Sequence, residues 1–139
     1  MDILNLKKVL ESYKLKYPIL RDTYLVFIEK TNKFDFFGRS NIDTIGIYIV
    51  NGKNRYKNIK PINIELVVGY DNILYTLLHE ITHCTIQYRE RKIKNDWIIL
   101  SHGDDFYKKY VEIIDYAYTL KIINTKYTID EIKQFDNNW

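Results

Sequence analysis

The sequence predicts an α+β domain in which a small twisted mixed sheet packs beside helices. Three observations carry this. Runs of β-branched and aromatic residues of strand length crowd the first half, and apolar residues at helical spacing dominate the second. The composition also supplies a core: the 139 residues are 46% hydrophobic and 15% aromatic. A chain of this size removes roughly two thirds of its unfolded surface from water, so one domain over residues 1–139 is expected.

The first element reads as a helix capped by Asp2, with Ile3, Leu6, Leu10 and Tyr13 on one face and Lys7, Lys8, Glu11 and Lys14 elsewhere. Pro18 disfavours helical geometry in the residue before it, which stops the helix near Tyr17. Residues 24–29 form a first strand. Residues 31–40 read as a loop, punctuated by Asn32 and Gly38 and anchored by Phe34, Phe36 and Phe37. A second strand is expected over 44–50, closed by the turn dipeptide Asn51-Gly52. A basic connector over 53–60 then leads to a third strand, 62–68, ending at Gly69.

The period changes after that point. Gly and Pro are absent from Asn72 to about Ile86, and Asp71 stands where an N-cap belongs. Leu74, Leu77, Leu78, Ile81 and Thr85 form one wide apolar stripe, predicting a helix with that stripe on the core. At about 100° per residue His83 lands about 40° from His79, on the side away from the stripe. Residues 89–100 read as a polar connector with a short strand at 97–100. Ser101-x-x-Asp104 resembles a capping box, and Phe106, Tyr110, Ile113, Ile114 and Ala117 trace one face of the following helix. Thr128-x-x-Glu131 opens a short terminal helix through Phe135.

Several function classes are excluded or left without support. Cys84 is the sole cysteine, so no disulfide can form within the chain, and no apolar stretch is long enough to span a bilayer. The first residues lack a secretory pattern, so an intracellular, monomeric protein without a membrane partner is expected. The net charge of +3 is too small to argue nucleic-acid binding. Two local clusters, Lys53, Arg55, Lys57 and Lys60, then Arg89, Arg91, Lys92 and Lys94, are the expected phosphate contacts if DNA is a partner. Tyr56, Tyr88 and Trp97 would offer stacking surfaces beside them. The alternative is a solvated face that keeps the protein soluble.

The chemistry concentrates in His79-Glu80-Ile81-Thr82-His83, an H-E-x-x-H pattern on a predicted helix. Two imidazoles four residues apart project from one side and suit a single Zn²⁺, while the carboxylate beside the first suits a general base acting on a metal-acidified water. With three His and seven Glu in the chain, chance yields the pattern with a probability of roughly 0.002. A catalytic zinc needs a third protein ligand, and His102 is the one remaining histidine. Glu112 competes for that role, but it lies about 200° round the helix from Tyr110 and reads as solvent-facing. Asp104 and Asp105 read as capping residues or as carboxylates that orient an imidazole, with direct ligation as the alternative. Cys84, turned toward the apolar stripe, reads as a buried thiol.

His79-Glu80-x-x-His83 followed by His102-Gly103-x-x-Phe106 resembles the SprT-like zinc metallopeptidases, whose signature joins H-E-x-x-H to a downstream H-G-x-x-F. It is also similar to the WLM peptidases. The resemblance covers residues 62 to 117 and implies a zincin-like core. It also implies one Zn²⁺ held by His79, His83 and His102, with Glu80 as catalytic base and Phe106 packing the second helix on the first. It further implies a protein substrate associated with or crosslinked to DNA. A single Ala and abundant Ile, Lys, Asn and Tyr point to AT-rich codons, which suits a viral or parasite-borne member.

The expected function is therefore zinc-dependent peptide-bond hydrolysis. The alternative class is a non-catalytic, zinc-stabilised module that binds nucleic acid or protein; the intact Glu80 argues against it, because a structural site needs no base. Residues 62–68, directly ahead of the active helix, are the expected strand for pairing with extended substrate, unless they form an inner strand with no free edge.

Overall fold

The computed structural model describes residues 2–30, 36–50, 53–86, 90–93, 96–99 and 104–137. The chain runs α1 (Ile3–Lys16), a one-turn 3₁₀ helix (Pro18–Leu20), β1 (Tyr24–Glu29), β2 (Gly38–Val50), β3 (Lys53–Val68) and α2 (Ile73–Thr85). It continues through β4 (Glu90–Ile93), β5 (Asp96–Ile99), α3 (Asp104–Thr119) and α4 (Ile129–Asn137). This is a small α+β fold with a three-stranded mixed sheet and four α-helices.

Local chemistry sets the helix ends. Asp2 accepts a hydrogen bond from the Asn5 N–H at 2.8 Å, and the extended Tyr17 ends α1 ahead of Pro18. Thr128 and Glu131 form a reciprocal capping box: the Thr128 N–H donates to the Glu131 carboxylate at 3.0 Å and the Glu131 N–H donates to Thr128 Oγ1 at 3.2 Å. α2 differs from the expectation in its N-cap, which is Asn72 rather than Asp71 and makes no side-chain capping bond. Ser101, the expected cap of α3, lies outside the described residues, as does Asn51-Gly52.

The sheet order is β1-β3-β2, with β3 parallel to β1 and antiparallel to β2. This corrects three expectations. β2 starts at Gly38, so Ser40 lies on a strand rather than in a loop. The basic residues 53–60 are not a connector; they form the first half of β3, paired along β2 from Val50↔Lys53 onward. The register shifts at Asn41/Ile42, leaving Ile62 as the extra residue of a bulge. Residues 63–66 have strand neighbours on both sides, so the segment expected to pair with substrate is an inner strand over that stretch. Polar, basic residues form this ribbon because each strand satisfies the other's backbone groups regardless of side-chain hydropathy. A separate two-stranded sheet, β4 with β5, occupies the connector that was expected to hold a single short strand.

The core is one cluster. Leu6, Leu10 and Tyr13 of α1 meet Ile64 and Leu66 of β3, Leu77, Leu78 and Ile81 of α2, Phe106, Tyr110, Ile113 and Ile114 of α3, and Ile132 of α4. Tyr13 is fully buried and donates its hydroxyl proton to the Ile113 carbonyl, which ties α1 to α3. No helix among the described residues is long and apolar enough to cross a membrane.

Candidate metal centre

α2 sits in the middle of this arrangement, with the sheet on one side and α3 on the other. Its predicted apolar stripe is buried at Leu77, Leu78 and Ile81, but Thr76, Glu80, Thr82 and Cys84 are buried as well. The histidine side is therefore not an open face, because aromatic residues of α3 cover it. The Phe106 ring lies 5.0 Å from the His79 ring and 4.6 Å from the His83 ring, centroid to centroid. Tyr110 meets His79 edge-on at 5.6 Å, and its hydroxyl donates to the Tyr75 carbonyl at 3.3 Å. These contacts limit ring rotation and leave the imidazoles half-buried.

The helical repeat does the rest. His79 and His83 project along one side of α2, and their Nε2 atoms stand 3.2 Å apart. That distance suits a hydrogen bond between the two rings, and it is also close to the roughly 3.3 Å that separates two nitrogens bound at about 2.0–2.1 Å to one tetrahedral ion. The carboxylate of Glu80 completes the cluster: one ligating atom from each of the three residues lies within 4.8 Å of the others.

Glu80 is only 7% exposed, and a carboxylate at that depth needs donors. One is Ser40 of β2, whose hydroxyl lies 2.6 Å from Glu80 Oε2 and 3.1 Å from the Glu80 carbonyl oxygen. Sequence reasoning missed Ser40 because its segment lacks the strand signature of residues 44–50.

His102 lies outside the described residues, as do Arg89 and Lys94. Asp104 and Asp105 open α3, Arg91 and Lys92 lie on β4, and Lys60 is exposed on β3. Lys53, Arg55 and Lys57 lie in the first half of β3. Glu112, rejected above as a ligand, points to solvent and accepts a hydrogen bond from the Tyr17 hydroxyl. Cys84 is fully buried, and burial pushes its thiol up to about 12, against the opposing pull of a hydrogen bond with Ser40.

No protein-family model, curated protein or solved structure matches the chain. His79, Glu80 and His83 form a group that could hold a metal ion, its two imidazole nitrogens 3.2 Å apart and its carboxylate accepting a hydrogen bond from a serine.

Proposed function

We propose that this protein is a zinc-dependent metallopeptidase of the zincin type, similar to the SprT-like and WLM peptidases, that hydrolyses peptide bonds. The observation that carries the reading is the 3.2 Å convergence of His79 and His83 Nε2 beside a buried glutamate. His79 and His83 hold the ion, and His102 is proposed as the third ligand because it is the one other imidazole in the chain. When bound, Zn²⁺ supplies Lewis acidity toward the scissile carbonyl and lowers the pKa of water. Glu80 would act as the general base that takes the proton of the attacking water and as the acid that returns it to the departing amine. Phe106 and Tyr110 exclude solvent from one side and hold the imidazoles in place. A DNA-associated substrate follows from the family resemblance alone.

The test is cleavage of an unstructured protein, casein, by the zinc-loaded chain with and without DNA. Wild type should cut, Glu80→Gln should bind zinc and not cut, and His83→Ala should lose both. A zinc-loaded wild type that leaves casein intact overturns the reading in favour of a zinc-stabilised binding module.

A further inference from the structure

Ser40 reaches Glu80 through a packing arrangement that begins two residues earlier. Gly38 and Ser40 pair with Leu66 and Ile64, both fully buried, so this face of β2 turns toward the core and α2. At Gly38 the strand comes so near the helix that a Cβ would stand 2.7 Å from Thr76 Cγ2 of α2, and it would also stand 2.9 Å from the Glu65 carbonyl oxygen of the neighbouring β3. Two strand residues advance about 6.6 Å and four helical residues about 6 Å. The step from Gly38 to Ser40 along the strand therefore matches the step from Thr76 to Glu80 along the helix. The close approach at the first pair delivers the Ser40 hydroxyl to the Glu80 carboxylate at the second, at 2.6 Å. That lies at the short end of the O–H···O range, about 2.5–3.0 Å.

We infer that Ser40 is the positioning residue for Glu80: its hydroxyl, brought in by the Gly38 contact, fixes the rotamer of the carboxylate at the metal site. This rests on the peptidase reading for what Glu80 does once positioned. A bare carboxylate on a half-turn of helix has several rotamers, and fixing one oxygen sets where the other can reach. Ser40 comes from a different element than the histidines, so β2 and α2 have to be docked before the carboxylate is oriented. The serine also lies 39 residues upstream of His79 and outside the H-E-x-x-H pattern, where a motif search would not find it.

A double-mutant cycle on the zinc-free chain isolates the contact. Ser40→Ala should lower Tm by about 4–8 °C with Glu80 present and by less than about 2 °C in a Glu80→Ala background. Equal shifts in the two backgrounds overturn the inference. The isosteric pair Ser40→Thr and Ser40→Val repeats the comparison if the alanine variant does not fold. With zinc and casein, Ser40→Ala should lower kcat about 10–100-fold at unchanged KM, and Ser40→Thr should recover most of it. An elevated KM with intact kcat overturns the positioning role. A wild type that binds zinc without cutting casein defeats the peptidase reading instead, and the cycle still decides whether Ser40 holds Glu80.

Discussion

The Nε2 atoms of His79 and His83 stand 3.2 Å apart on successive turns of α2, with the Phe106 ring packed against both imidazoles. An ion shared by such a pair links the folded state to metal. At a free zinc concentration a hundred times its Kd, stabilisation is about 2.7 kcal/mol. Tm should rise by roughly 6–12 °C. His83→Ala should abolish the rise, and the affinity of wild type should fall at acid pH because imidazoles ligate only when unprotonated. Thermal melts with zinc and with chelator measure all of this, and a zinc-independent Tm removes the metal assignment.

Phe106 is 1% exposed and touches both imidazoles. Phe106→Ala should cost about 3–5 kcal/mol, the range for removing a buried ring, and should also weaken zinc binding because the histidines lose the wall that holds them. Phe106→Leu should recover most of the stability and less of the zinc affinity. Urea unfolding and zinc titration of the two variants separate the effects.

Gly38 is required by proximity to Thr76 and the Glu65 carbonyl. Gly38→Ala should destabilise by about 1–3 kcal/mol through overpacking. Adding Thr76→Ser removes the methyl at 2.7 Å but leaves the carbonyl at 2.9 Å, so it should recover only part of the loss. Denaturant midpoints of the single and double variants check this.

Stability should fall at both ends of the pH scale through tyrosines that join α1 to α3. The Tyr17 hydroxyl, assisted by Lys109 and Lys16, holds the Glu112 carboxyl below its ordinary 4.5. The stabilisation from this group is present above pH 4.5 and is lost as pH drops through the lower folded value. Burial raises Tyr13 and Tyr17 above their ordinary 10.0, so their contribution is present below pH 10 and is lost as pH rises beyond it. Tyr17→Phe should flatten the acid limb. Tyr13→Phe should flatten the alkaline limb while costing about 1 kcal/mol at neutrality for the lost bond to Ile113. Urea midpoints measured across the pH range test both variants.

The features legible in the sequence are those that neighbours along the chain decide. The capping by Asp2, the box of Thr128 and Glu131, the strand 24–29 and the buried faces of α1 and α3 all follow from interactions within a few residues. The pairing of His79 with His83 belongs here too, because the helical repeat alone brings positions i and i+4 together. Residues 53–60 and Gly38 to Ser40 were not legible as strands, since their conformation is set by backbone partners elsewhere in the chain and their side chains carry no alternating apolar pattern.

The sequence by itself thus determined the helices, the strand-rich first half and the histidine pair on one side of α2. Only the tertiary structure decided that β3 lies between β1 and β2, that Phe106 and Tyr110 wall the histidines, and that Ser40 reaches Glu80 from forty residues away. The reason is physical: a helix satisfies its own backbone hydrogen bonds locally, whereas strand order and the contacts between elements depend on which surfaces bury each other across long stretches of chain.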